Sequence, residues 1–479
     1  MLTYRMNRDT PMTPQRMGAY IADFKTKELP RMRKLYDYYV GRQKITRRTG
    51  PEGKPNNKAV HPYGNYITDI NVGYFLGEAI AYSSSAPEEA DEAKNGTLQR
   101  AAAAVRGALK KAITIVTGKG LLDTLQEINK YNDEAAGNAE LGTDASIFGI
   151  ADELVYIDKD SEIRFTPVDP RGIVLIFDDT VESELLYGIR FWENVDILTK
   201  AHTEYAVLYS DIECQTYRHA GGLWVAEGEP VEHHIGAVPI NPYYNNRMGL
   251  GDYEQILSLI DAYDSTQSDS INDVEAFADA YLALIGMGDI SFEPDEENKP
   301  SEGEQQIRAM KNNRVLLIPE GGDAKWVVKT VNDTQQENLK TRLAADIHKF
   351  SKTPALTDQD FAANASGVAI KYKLMGLETV AAKKERAFRK GLQRRIELIC
   401  NVLSIKGRKY RYTDIAMTFK RNIPANFTEI ADVLNKVGGL LSKETQVGLL
   451  PVETTYAEER ERIKAEAEDG YSVPTADEE

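Results

Sequence analysis

From Tyr253 to Tyr281 the chain runs without a glycine or a proline. A breaker-free segment of that length forms roughly 40 Å of continuous helix. Its apolar positions include Ile256, Leu259, Ile260, Tyr263, Ile271, Val274 and Phe277. It also carries Asp261, Asp264, Asp269, Asp273, Glu275 and Asp279, with Ser265, Ser268 and Asn272 between them. Asp261, Ser265, Ser268, Asn272 and Asp279 fall on roughly one side of such a helix. Taken alone, that side is as readily a solvated helix face as a functional one.

A second long helix, from about Val368 to Ile405, has the opposite sign: Lys371, Lys373, Lys383, Lys384, Arg386, Arg389, Lys390, Arg394 and Arg395. It reads as a nucleic-acid face or as a partner for acidic neighbours. The formal net charge of −16 favours the second reading. The same charge argues against a surface that grips nucleic acid everywhere, but not against one past which DNA must slide.

Between the helices the periodicity changes. Leu154–Ile157, Arg164–Val168, Gly172–Phe177, Tyr187–Phe191, Tyr205–Tyr209 and Cys214–Tyr217 are short β-like runs separated by turn formers. The block from about Glu153 to Pro242 therefore predicts an antiparallel β domain. Ahead of it, Thr13 and Pro14 open a helix with Met17, Tyr20, Ile21 and Phe24 on one face. Pro30 should kink or break that helix, which resumes through Met32, Leu35, Tyr36 and Tyr39. A polar loop from Gly41 to about Lys58 follows, then, within about Ala59 to Tyr82, an aromatic-sided helix ending near Gly77. The stretch from Ala86 to Gly107 is alanine- and charge-rich, either a soluble helix or an insertion. A helix from about Leu121 to Tyr131 precedes the segment Asp144–Ile150.

After the acidic stretch Asp289–Asn313, Val315–Pro319 and Trp326–Lys329 read as a hairpin across Gly321-Gly322. Thr334 and Glu337 form a capping box for a helix striped by Leu339, Leu343, Ile347 and Phe350, which ends at Thr353-Pro354. Small and acidic residues then make a loop, and Ile415–Phe419 is strand-like. The last fifty or so residues read as helical, with a second capping box at Thr455 and Glu458 and an acidic tail.

No apolar run is long enough to span a bilayer, and the first residues lack the apolar stretch of a signal peptide. Cys214 and Cys400 have no partner pattern and read as idle thiols, which fits a reducing compartment. The pair His233-His234 stands on a strand or loop where neighbours point apart, which disfavours a metal site. Gly249-Leu250-Gly251 lacks the preceding parallel strand and third glycine of a dinucleotide site and reads as a turn. No phosphate loop or zinc motif is present, and Asp358 with Asp360 has no nucleophile or metal partner nearby in sequence. The expectation is no enzyme and no cofactor.

Four stretches, in order, resemble the portal family of tailed double-stranded DNA phages, in particular the branch from long-tailed phages of Gram-positive hosts. They are Tyr38–Ile45 with Pro55–Val60, Asn65–Gly77, Thr353-Pro354 through Ser366–Lys371, and Phe419–Pro424. Their combination, spread over most of the chain, carries the resemblance. It implies an α+β class: a mainly helical portal fold with a strand-rich wing domain, long stem helices, a small α/β clip and a helical C-terminal crown. The implied parts are a wing at 1–250, a stem helix at 251–281, a clip at 282–332 and a second stem helix at 333–354. A tunnel loop at 355–367, a long helix with a wing return strand at 368–430, and a crown with acidic tail at 431–479 complete the set.

The resemblance further implies a homo-oligomeric ring of about twelve subunits at one capsid vertex of the virion, assembled in the host cytoplasm. Double-stranded DNA would slide through it without sequence preference during packaging and ejection. Partners would be the terminase large subunit, a head–tail adaptor, and the major capsid and scaffold proteins, with no membrane. Asp261, Ser265, Ser268, Asn272 and Asp279 would line the channel. Asp358, Asp360, Phe361, Asn364 and Ser366 would form the tunnel loop, with Phe361 either contacting DNA or anchoring against the next helix. Val315, Leu317 and Trp326 would form the clip interface. The competing classes are a capsid-associated scaffold or morphogenesis protein without a channel and, more weakly, a nuclease or transferase using unrecognised carboxylates.

Overall fold

A computed structural model describes residues 3–50, 54–84, 120–278, 282–285, 315–318, 333–356, 372–422 and 456–468, with a few single positions between 434 and 447. Strand β1 (Tyr4–Met6) precedes helix α1 (Pro14–Lys27). Thr13 caps α1 by accepting from the Arg16 amide at 3.3 Å, and Pro14 occupies the first turn, where its missing N–H costs nothing. The apolar face buries Met17, Ile21 and Phe24. The helix breaks at Glu28, and Pro30 sits in the first turn of α2 (Leu29–Tyr39), as its chemistry requires. Helix α3 (Tyr63–Leu76) ends at Gly77 and is followed by β2 (Ala81–Ser84).

Helix α4 (Leu121–Tyr131) lies where periodicity placed it. Helix α5 (Glu134–Phe148) has no apolar stripe in the sequence to announce it. It buries Leu141, Ile147 and Phe148 together with the small Gly142, Ala145 and Ser146, and a Cβ on Gly142 would sit 2.4 Å from a Leu76 methyl, a close approach of α5 to α3. Asp133 and Gly149, both at positive φ, bound this helix.

The strands form two main sheets rather than one. In the larger, β5 (Ile173–Asp178), β6 (Leu185–Val195), β7 (His202–Tyr209) and β8 (Glu213–Ala220) run antiparallel in sequence order. Strands β9 (Leu223–Ala226) and β10 (Val231–Glu232) both pair with β8, while β1 joins β5 in parallel. The smaller sheet has the order β11–β3–β4, with β3 Ile150–Ile157, β4 Ile163–Val168 and β11 Ile240–Tyr244. Pro242 thus lies inside a strand, on a sheet edge where its missing donor is tolerated.

A 3₁₀ turn at Glu254–Ile256 leads into α6 (Leu257–Ala278). Strand β12 (Leu282–Ile285) pairs in parallel with β13 (Val315–Ile318). The expected hairpin partner of 315–319, residues 326–329, lies outside the described residues; the neighbour that β13 has is β12. Helix α7 (Asp333–Ser351) packs on α6, and α8 (Met375–Ile405) follows. Strand β14 (Ile415–Thr418) pairs antiparallel with β2, and α9 (Tyr456–Glu468) is the last described element. The class is α+β, as expected.

Two large cores and a small one hold this together. One of the large cores joins α1, α2 and the foot of α6 to β5 and β6. The other joins α8 to α4, β3, β4 and β14, with Leu392, Leu398 and Ile399 sealed from solvent. Each such side chain contributes about 1.5–3 kcal/mol by leaving water. Arg395 is buried among them. Its guanidinium donates to Glu153 at 3.0 and 2.5 Å, to Asn138 at 2.9 Å and to Glu134 at 3.3 Å.

Candidate functional site at helix α3

Helix α3 is the place where the four resembling stretches meet. Its first turn presents aromatic rings to the ends of α6 and α7. Tyr63 lies edge-on to Tyr263 at 5.4 Å and to His348 at 5.9 Å, and Tyr66 to His348 at 5.7 Å. The Tyr66 hydroxyl donates to the Pro354 carbonyl at 2.9 Å and accepts from the Leu356 amide at 3.0 Å. One turn on, buried Asn71 donates to the Thr353 hydroxyl at 3.0 Å. His348 bonds the Thr353 carbonyl at 3.0 Å, and Lys352 adopts positive φ to turn the chain off α7. The chain entering segment 357–371 is therefore fixed by three side chains from two helices.

The same helix holds the chain where it emerges. The Tyr74 hydroxyl donates to Glu378 at 2.8 Å, and burial beside that carboxylate pushes the phenol up to about 12. Arg421 grips both Glu378 oxygens at 2.9 and 3.1 Å and reaches Glu385 at 2.9 Å. Glu378 is held below the ordinary carboxylate range, since the bonds from Arg421 and Tyr74 outweigh its desolvation. The Asn422 amide donates to the Tyr74 carbonyl at 3.2 Å, and Leu377 and Ala381 bury against Tyr74.

A strap from Asn57 to His61 runs along α6. The amides of Asn57, Ala59 and His61 donate in turn to Asn272 (2.7 Å), Ser268 (3.0 Å) and Asp264 (3.0 Å). The spacing explains the fit. Alternate residues of an extended chain are about 6.7 Å apart, and four residues of helix rise about 6 Å. The His61 ring also meets Asp264 at 3.0 Å; burial raises the Asp264 carboxyl, against the pull of His61. Asp261 accepts from the Tyr38 hydroxyl at 2.7 Å.

The polar face read as channel-lining is thus divided. Ser268 is sealed under the strap, so it does not line an open surface of this chain. Asp261 and Asn272 are half-buried and engaged, and Ser265 is exposed. Asp279 lies outside the described residues, as do Asp358, Asp360, Phe361, Asn364, Ser366 and Trp326. Val315 and Leu317 stand in β13. The helix expected from about Ala59 begins only at Tyr63, because residues 57–61 run extended as this strap; residues 57–60 fall in one of the resembling stretches, and the strap's signal is the match between alternate amides and every fourth acceptor of α6.

The basic helix resolves toward pairing with acidic neighbours. Lys384 is buried against Asp252, Arg389 bonds Glu385 at 2.8 Å, and Arg395 is enclosed by Glu153 and Glu134. Arg394 donates to the Val238 carbonyl at 3.3 Å. Lys383, Arg386 and Lys390 form an exposed face. His233 bonds the Ser210 carbonyl at 3.1 Å and accepts the Ile235 amide at 3.2 Å. Cys214 and Cys400 are free thiols, both pushed up chiefly by burial. Among the described residues no three ligating side chains could hold a metal, and no helix is long and apolar enough to cross a membrane.

The family model for the phage portal protein, SPP1 Gp6-like, matches residues 19–471. The chain therefore belongs to the phage portal protein family, whose members are ring-forming structural components of phage heads rather than enzymes. The portal protein of Bacillus phage SPP1 is 22% identical over 456 residues, 92% of this chain and 81% of that one. The portal protein of Clostridium phage phiCD119 is 23% identical over 383 residues, 73% of this chain and 82% of that one. A solved chain from the neck of an empty GTA particle aligns over 82% of this chain and 91% of its own, at 14% identity and a TM-score of 0.35.

Proposed function

We propose that this chain is the subunit of a portal ring of about twelve copies at one capsid vertex, a conduit through which double-stranded DNA is packaged and ejected. In this reading residues 1–250 with the return strand form the wing, α6 and α7 the stem, 282–332 the clip, 355–367 the tunnel loop and 431–479 the crown. The observation that carries ring assembly is on the stem pair. Ile271, Val274, Leu339 and Phe350 are 44, 71, 49 and 56% exposed. A single exposed apolar residue needs no explanation, but four on one helix pair fit burial against a neighbouring subunit.

Charge supports the conduit. Helix α6 has no Lys, Arg or His; among its acids Asp269 and Glu275 are exposed and Asp261 and Asp273 half-buried, while Asp264 is buried against His61 and Asp269 is met by Arg48 at 2.5 Å. Repeated around a ring, it would repel a duplex that carries one charge per roughly 1.7 Å of axis. Phosphates would then slide instead of binding. Ser265 is the expected channel-lining position that this packing leaves open.

Helix α3 gives the tunnel loop a mechanical setting. It fixes both roots of 357–371 to the stem end and to α8, so a displacement of the loop loads the stem and wing together. The chain brings no nucleotide motif, so packaging would need the terminase large subunit as a separate motor, docked at the clip through Val315, Leu317 and Trp326. A head–tail adaptor would take the same place after packaging, and capsid and scaffold proteins would meet the wing.

Assembly is tested with Val274→Asp and Phe350→Asp. Each should leave the chain folded while abolishing rings. Rings that form normally in both variants would remove the stem contact from this account.

A further inference from the structure

A cleft of about 570 Å³ opens between the end of α1, the start of α2, the turn after β4, and strands β6 and β7. Its walls carry Lys25, Arg33, Arg171 and Arg190, a concentration of cations in a chain of net charge −16. Two of them are already matched: Lys25 pairs with Glu204, and Arg171 with Asp169 at 2.7 Å. The third acid of the wall, Glu193, is met by His202 at 2.7 Å. Arg33 and Arg190 have no carboxylate partner among the described residues, and Arg33 is exposed.

Arg190 is nevertheless held in place. Its guanidinium lies 4.8 Å over the Trp192 ring, and Trp192 stacks on Tyr205 at 5.7 Å and 18°. A guanidinium over an indole is held in place by the ring while its N–H groups remain able to donate to a carboxylate. The stack lies at the edge of β6 beyond its pairing with β5, on the face opposite the Phe191 ring that packs on α1, and its aromatic surface is only half-buried.

We infer that this cleft docks an acidic peptide segment of a partner protein, with carboxylates meeting Arg33 and Arg190 and an apolar or aromatic side chain against Trp192. Its volume suits a few side chains and not a duplex. Asp169 and Glu193 are exposed on the same walls and would face any continuous row of phosphates, whereas a peptide places its charges singly. The inference is separable from the ring proposal, because the cleft is built from α1, α2 and the sheets and leaves the stem untouched.

The test is fluorescence anisotropy on the full-length protein with a labelled synthetic peptide of Glu and Leu. A Lys-and-Leu peptide and a random-sequence DNA duplex serve as comparators. The acidic peptide should bind and the basic one should not, with affinity falling as salt rises. Arg33→Glu and Arg190→Gln should each weaken binding by about tenfold. Arg33 is exposed and free of ion pairs among the described residues, so its variant should keep the wild-type thermal midpoint and ring formation. Three results would overturn the inference: no binding of the acidic peptide, binding that both variants leave unchanged, or a duplex that binds and is lost in both. If the peptide binds only after residues 469–479 are deleted, the cleft serves the chain's own acidic tail and the partner assignment fails.

Discussion

Replacing Arg395 by Met should destabilise the protein by an amount that depends on pH. The guanidinium is 2% exposed and faces Glu153 and Glu134, themselves 0 and 7% exposed. Methionine is a fair steric substitute between the rings of Phe165 and Tyr243, which lie 4.3 and 5.5 Å from the guanidinium carbon. What it does not replace is the charge. Glu153 would keep bonds from Asn241 at 3.2 Å and Tyr243 at 3.0 Å, and Glu134 a bond from Tyr82 at 2.6 Å. Removing one member of a buried ion pair costs about 3–5 kcal/mol.

Proton uptake sets a ceiling on that cost. A buried carboxylate can escape by taking a proton, and from an ordinary value of about 4.3 this costs at most about 3.7 kcal/mol at pH 7 and about 1 kcal/mol at pH 5. The variant's carboxyl would have a raised folded value, so its penalty is absent below about pH 4 and grows as pH rises. Urea unfolding of wild type and Arg395→Met at pH 5, 6, 7 and 8 reads this directly. A deficit near 1 kcal/mol at pH 5 growing to about 3–4 kcal/mol at pH 7 is expected. A deficit equal at every pH would refute the reasoning and make Arg395 a packing residue.

Three further outcomes are expected. Asp144 is pushed up to about 7, chiefly by burial and by neighbouring Asp169; it opposes folding increasingly from about pH 4 to 7 as the unfolded chain loses its proton first. Asp144→Asn should therefore raise the unfolding free energy at pH 8, by at most about 4 kcal/mol and by less because the group keeps some solvent contact, with no gain at pH 3. Tyr66→Phe removes two bonds from the entry to 357–371 and should cost about 1–2 kcal/mol, with faster hydrogen exchange at the Leu356 amide; unchanged exchange would place the root's anchor elsewhere. Thr13→Ala should cost about 1 kcal/mol in urea unfolding through its lost cap, and an Arg16 amide still protected would contradict that.

Helices with a regular apolar face were legible from the sequence. The break at Pro30, the extent of Leu121–Tyr131 and the end of α3 at Gly77 follow from local chemistry and are seen in the fold. Helix α5 was not legible, because its buried face mixes Leu141, Ala145 and Phe148 with polar and small residues such as Glu134, Asn138, Gly142 and Ser146. Strand β11 was hidden by Pro242, which is tolerated only because that strand lies on an edge. The strands of β3–β8 were legible singly, but their division between two sheets depends on pairings distant in sequence, as does the parallel pairing of β12 with β13.

The site was legible as composition but not as geometry. The polar residues of α6 looked alike along one face. Only the strap at 57–61 separates Ser268, which accepts a backbone amide, from Ser265, which stays open. The cations of α8 likewise divide by burial into paired Lys384 and Arg395 and exposed Lys383, Arg386 and Lys390. No local rule sorts residues of one type in that way, because their partners come from elsewhere in the chain.

The most direct test of the central claim is electron microscopy of the full-length protein, purified alone and after co-expression with head proteins, with its mass measured in solution. The account predicts closed rings of about a dozen subunits around an open central channel. A small closed dimer, or a monomer that persists even after co-expression, would contradict it.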